Sequence, residues 1–168
     1  CADAMTGHST LSHFLIADGK IEAGVKHLRA SIYLMQLLGG PRYSELPNAF
    51  HRLGTIFANE GSNGVSSLRC YQEASSRNCC DRLVEGMIIM STAYLLAQLG
   101  QYKAAVDTAG IAYQLAVKTN DQQLRGRAAE TIGFAYAKSG EYWQAFEHLV
   151  EAQKIGKETG DSLLTSMS

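Results

Sequence analysis

The chain has 168 residues, 46% hydrophobic and 18% charged, enough apolar material for a sizeable core and too much for a disordered segment. Lys+Arg 15 against Asp+Glu 16 gives a formal net charge of -1, so no global basic field draws in nucleic acid or anionic lipid. No apolar run approaches a membrane span, and no basic stretch followed by an apolar one opens the sequence, so no membrane insertion is expected.

In chain order the sequence predicts four helical hairpins. The first, 5–41, has Leu11, Leu15 and Ile16 ahead of Gly19 and returns through Ile21, Gly24, Leu28 and Ser31 to about Leu38, where Gly39, Gly40 and Pro41 stop it. In the second, 45–80, Leu53, Gly54 and Phe57 precede Gly61 and give a helix over 46–60. A turn one residue longer then leads into a helix over 64–78, with Tyr71 and Ala74 at its packing positions. The third, 82–121, places Ile89, Ala93 and Leu96 before Gly100 and Tyr102, Ala105, Val106, Ala109 and Ala112 after it. The fourth, 122–161, places Ala129, Ile132, Gly133 and Tyr136 before Gly140 and Tyr142, Ala145, Phe146, Leu149 and Ala152 after it. Apolar residues spaced by three and four on either side of a glycine read as two amphipathic helices joined by a tight turn.

The third and fourth hairpins are copies at a step of 40 residues: Gly100 recurs as Gly140, Tyr102 as Tyr142, Ala105 as Ala145, Ala112 as Ala152, Thr119 as Thr159 and Asp121 as Asp161. A unit of that size cannot bury its own apolar face and stacks on its neighbours. The predicted fold is therefore all-α, a right-handed α-solenoid of about four hairpins. We read 1–168 as a single repeat domain and a fragment of a longer array, with Leu163, Leu164 and Met167 opening a further helix. Ala105 and Ala145 share a register where a bulky side chain would push the two helices apart. Asn120-Asp121 and Gly160-Asp161 end two copies at matching points, each Asp placed to cap the next helix.

Catalysis finds no constellation. His8, His13, His27, His51 and His148 are scattered, and none forms a metal-ligand pair with a carboxylate between on one helix. Cys1, Cys70, Cys79 and Cys80 make no zinc knuckle, and a cysteine pair at a helix C-terminus lacks the field that lowers a thiol pKa. The expectation is a protein that is not an enzyme, with no cofactor and no metal. Unpaired thiols in a chain long enough to stand without staples fit the reducing cytoplasm, with nucleus and cytoskeleton as the compatible alternatives.

Gly133, Tyr136, Gly140, Ala145 and Ala152, and Ala93, Leu96, Gly100, Ala105 and Ala112, resemble the tetratricopeptide repeat (TPR) family. The match covers about 5–161, without the leading Trp and closing Pro of that family. The 40-residue step resembles its long-repeat subclass, the Leu-Gly-Asn repeat and Pins-like scaffolds, as does the stretch Asp121 to Gly133 with Arg125, Arg127 and Ala128. Where that subclass has an Asn after its Gly, this chain has His13, Thr55, Tyr94 and Phe134, so the ligands of the subclass do not carry over.

The resemblance implies that the first helix of each hairpin lines a concave groove. Counting in register places there His13; Asn48, His51 and Thr55; Met87, Met90 and Tyr94; and Arg127, Glu130, Phe134 and Lys138. Methionines and aromatics offer adaptable apolar contacts, and Arg127 with Lys138 a grip for an acidic group. The competing reading makes Met87, Met90 and Phe134 core, and Arg127 and Lys138 a solvated face. Glu151 and Lys154 are expected on the outer face. The functional expectation is a scaffold or adaptor binding an extended peptide or helix of a protein partner, with no nucleic acid. The alternative is a structural subunit built permanently into a cytoskeletal, ciliary or ubiquitin-ligase complex.

Overall fold

The computed structural model describes residues 2–39, 41–59, 64–77 and 81–160. Expectations resting on Cys1, Gly40, Gly61, Asn78, Cys79, Cys80, Asp161, Leu163, Leu164 and Met167 lie outside the described residues. Eight α-helices are found among the described residues: α1 Ala2–Ala17, α2 Ile21–Leu38, α3 Leu46–Asn59, α4 Gly64–Ser75, α5 Arg82–Gln98, α6 Tyr102–Thr119, α7 Gln122–Ser139 and α8 Tyr142–Thr159, with a 3-10 turn at Pro41–Glu45 before α3. They pair in sequence order, α1 on α2, α3 on α4, α5 on α6 and α7 on α8. The chain forms two compact units, 1–80 with the first two hairpins and 81–168 with the last two.

In the first unit the core is Leu28, Ile32 and Met35 of α2 packed with Leu46, Ala49, Leu53 and Phe57 of α3, joined by Met5 and Cys70. The helices within a hairpin meet through small residues held in one register relative to the turn. Ser12 and Gly54 sit opposite Gly24 and Ser67, and all four are buried. The Ser67 hydroxyl donates to the Gly54 carbonyl at 2.7 Å, so α4 lies directly on the α3 backbone. A Cβ on Gly54 would stand 2.6 Å from the Tyr71 ring, which explains the glycine.

The second unit repeats this with Ala93 and Gly133 opposite Ala105 and Ala145, again all buried. A Cβ on Gly133 would meet Leu149 at 2.7 Å and the Ala145 carbonyl at 3.2 Å. Between the hairpins, Val106 and Ala109 of α6 pack with Ile132 and Tyr136 of α7. Ala112 and Tyr113 likewise pack with Leu124 and Ala128.

The tight turns arise from glycine's tolerance of positive φ. Gly140 has φ 87°, and the bonds Glu141 N–H to Tyr136 O at 2.9 Å and Gly140 N–H to Ala137 O at 3.3 Å close a Schellman motif. The Asp121 carboxylate accepts from Leu124 N–H at 2.9 Å and caps α7.

One polar joint ties three helices of this unit. The Tyr113 hydroxyl on α6 donates to Glu151 Oε1 on α8 at 2.6 Å and accepts from Arg125 Nε on α7 at 3.2 Å. Arg125 Nη2 reaches the same carboxylate oxygen at 2.5 Å. Glu151 was expected on an outer face; it is instead half-buried in this joint. Burial pushes its carboxyl pKa up, but the hydrogen bonds from Tyr113 and Arg125 and the charges of Arg125 and His148 outweigh that, holding it below the ordinary 4.5. A depressed carboxylate contributes stability above its unfolded-state pKa and loses it as pH falls through the folded one. Glu151→Gln is therefore expected to melt lower than wild type at neutral pH and to converge with it as pH falls through the depressed folded-state pKa of the carboxyl, below 4.5. Parallel melting curves across that range would remove the joint from the stability account.

Two side chains expected on the packed face of α8 are exposed: Tyr142 at 75% and Phe146 at 60%. The physical reason is the neighbour. Val106, one repeat earlier, lies under Tyr136 of the next helix in the chain, whereas among the described residues α8 packs on α7 alone.

Candidate functional site

The expected groove residues fall into two groups, one on each unit. On the first unit His13 and Asn48 are exposed, with the His13 ring edge-on to Phe14 at 6.2 Å. His51 is buried, its ring 5.5 Å from that of Tyr71, and burial pushes the imidazole pKa below 6.5. A buried histidine held toward its neutral form offers a partner neither surface nor charge. Thr55 donates to its own helix at His51 O, 3.0 Å, and its hydroxyl lies 3.3 Å from that of Tyr71. His51 and Thr55 thus serve the α3–α4 joint.

On the second unit the residues converge. Helix α5 packs on α7 as well as on α6, which brings equivalent positions of successive first helices side by side. Tyr94 of α5 and Phe134 of α7 stack with centroids 6.3 Å apart and planes 29° from parallel. Lys138 Nζ stands 5.5 Å from the Phe134 centroid, a cation–π contact that holds a positive charge over the stack. Met87 lies on the Tyr94 side of α5, and the two are 50% and 53% exposed. Arg127 is exposed on α7, while Glu130 and Phe134 are partly buried. Met90 departs from the expectation: three residues beyond Met87, it turns toward α6 and α7 and packs with Ala112 and Ala128.

This face can do recognition chemistry. Exposed Met87 and Tyr94 lie beside a partly buried Phe134, the two rings fix each other by stacking and Lys138 sets a positive charge over them, which suits apolar side chains beside a carboxylate. No group of three or more His, Cys, Asp or Glu side chains is placed to hold a metal ion among the described residues. Cys70 is buried, and burial pushes its thiol pKa up, the reverse of an activated nucleophile. Among the described residues no helix is long and apolar enough to cross a membrane.

No family model matches the sequence, and no curated protein matches it. Solved structures do. The apo form of RapI superposes with a TM-score of 0.85 at 14% identity, over 96% of this chain and 45% of that one. Aspartyl phosphate phosphatase F from Bacillus subtilis gives 0.79 at 15% identity, over 94% and 41%. Nearly identical TPR-like repeats assigned to a kinesin light chain of Podosopora anserina give 0.73 at 15% identity, over 94% and 77%. The fold is a TPR-like α-solenoid. The chain spans less than half the length of the first two of these structures.

Sequence reasoning missed two features of the TPR-like second unit. Leu83 is 67% exposed one turn before Met87, and the i, i+4 spacing was the available signal. A cleft of ≈ 830 Å³ opens at the turns, lined by Gly100–Lys103, Val106 and Asp107 on one side and Tyr136, Ser139 and Glu141 on the other. Its mixed charges, Lys103 against Asp107 and Glu141, have no signature in a single repeat.

Proposed function

We propose that the chain is a non-catalytic protein-interaction scaffold whose α5–α7 face takes an extended peptide or a helix of a protein partner. The observation that carries this reading is the Tyr94–Phe134 stack with Lys138 over it, in a register where Met87 and Arg127 extend the same surface. Apolar anchors that are already ordered lose little entropy on binding, so they make efficient hot spots. The long-repeat TPR subclass remains our finer reading of the family. In it, His13, Thr55, Tyr94 and Phe134 take the place of a row of asparagines, which favours apolar and aromatic ligand side chains over a gripped peptide backbone.

The structural-subunit reading has one observation in its favour, the exposed Trp143 and Phe146 on α8. A phosphatase reading rests on the name of one structure 15% identical to this chain. The buried, deactivated thiol and the scattered histidines give it no support.

The test starts by capturing partners on the immobilised chain and titrating the first one identified by calorimetry. Charge reversal by Arg127→Glu with Lys138→Glu is expected to slow association of an acidic partner about tenfold or more at low salt, the difference shrinking as salt rises. An unchanged association rate would remove these two cations from the site.

A further inference from the structure

His8 and His27 stand on the two helices of the first hairpin, and their Nδ1 atoms meet at 2.8 Å with the ring centroids 5.0 Å apart. The α1 and α2 backbones come together one turn away, where a Cβ on Gly24 would stand 3.2 Å from the Ser12 carbonyl. Counted from that approach, His8 holds the position of Phe50, Ile89 and Ala129 in the other hairpins, and His27 that of Cys70, Thr108 and His148. In the first hairpin alone both positions are imidazoles, and both are half-buried.

A facing pair of neutral imidazoles satisfies itself with one N–H···N bond, which keeps two polar rings in an apolar joint. The spacing also fits a second role. At a metal–nitrogen distance of about 2.0 Å, nitrogens 2.8 Å apart subtend about 90° at the metal, the cis angle of a tetragonal ion, whereas a tetrahedral ion needs about 3.3 Å. One turn from the pair stand Ala4 and Ser12 on α1 and Ala23 and Ser31 on α2, small and uncharged, so the remaining coordination positions fall to water. Ser12 is completely buried, and its hydroxyl has no hydrogen-bond partner among the described residues. A water held by an ion on His8 is the kind of partner that such a hydroxyl lacks.

We propose that His8 and His27 form a two-imidazole site for a divalent transition-metal ion of the tetragonal class, Cu(II) or Ni(II), which clips α1 to α2. Both rings belong to one hairpin, so the site does not depend on what precedes or follows the chain. Each ring ligates through its Nδ1 lone pair in the neutral form. The Nδ1 proton that the pair shares without metal therefore moves to Nε2 of the same ring, and the neutral pair releases no net proton. Two protein ligands hold an ion less firmly than the four of a structural site, so occupancy follows the free-metal concentration.

The test is calorimetric titration of the chain with Ni(II), chosen because Cu(II) oxidises free thiols such as Cys70. His8→Gln and His27→Gln are each expected to weaken binding at least about tenfold, because losing either imidazole loses the chelate. The double variant is expected to lose far less than the product of the two. His148→Gln is expected to bind as wild type does, and the thiols are the same in all of these proteins. Either single variant binding Ni(II) as wild type does overturns the proposal, and so does an additive double variant, the mark of two imidazoles acting separately. Circular dichroism is read first for each variant. Should one fail to fold, paramagnetic broadening of the histidine ring resonances in the wild type decides. His8 and His27 broadening together, ahead of His13, His51 and His148, upholds the site; any other order, or no broadening at all, overturns it.

Discussion

Ala145→Leu is expected to lower the stability of the second unit by about 1–3 kcal/mol, while Lys154→Ala on the exposed side of the same helix changes it by less than about 0.5 kcal/mol. Ala145 is 3% exposed, and its own carbonyl lies 3.2 Å from where a Cβ on Gly133 would stand. The two backbones therefore approach at this point with no gap for added methylenes. A leucine there must either take a strained rotamer or part α7 from α8, and the latter pulls Leu149 off Gly133. Gly133→Ala is expected to fall between the two variants. Its Cβ meets Leu149 side-chain atoms, which can swing aside, but the Ala145 carbonyl cannot. Chemical denaturation of the three variants orders them, and equal midpoints for Ala145→Leu and Lys154→Ala would break the small-residue register on which the hairpin assignment rests.

That register is also what made the fold legible. Turn glycines and buried small residues recur because every hairpin must solve the same close approach, and a repeated constraint writes itself repeatedly into the sequence. The return helix expected over 64–78 runs Gly64–Ser75, ending before Ser76 and Arg77, and the helix expected over 46–60 runs Leu46–Asn59, with residues 60 and 78 outside the described residues. What occurs once was invisible. The Tyr113–Arg125–Glu151 joint has Gln153 one step on from Tyr113 and Ile111 one step back from Glu151, so no copy announced it. The facing of His51 was missed, and that of Met90 left open between groove and core, for a different reason. Both sit within one helical turn of true surface positions, and periodicity alone does not tell the side of a first helix that meets solvent from the side that meets the preceding hairpin. The pattern around Phe146 matches that of Val106 and so predicts packing, but burial depends on the neighbouring helix and not on the pattern.

The largest expected effect on binding is at the aromatic stack. Tyr94→Ala or Phe134→Ala alone is expected to cost about 2 kcal/mol, roughly a 30-fold loss of affinity for the captured partner. The double variant is expected to lose less than the product of the two, because the rings stack at 6.3 Å and each loses part of its support when the other is removed. A strictly additive pair would mean that the rings meet the partner independently, contrary to a preorganised platform. Tyr94→Phe keeps the stack and removes only the hydroxyl, so near-normal affinity there separates apolar anchoring from hydrogen bonding. Both positions are on helix surfaces, Tyr94 exposed and Phe134 partly buried, and circular dichroism with a thermal melt establishes that each variant is folded before it is titrated. If the folded double variant binds as wild type does while Trp143→Ala with Phe146→Ala loses the partner, recognition belongs to α8, and the scaffold engages its partner through that helix rather than across α5 and α7.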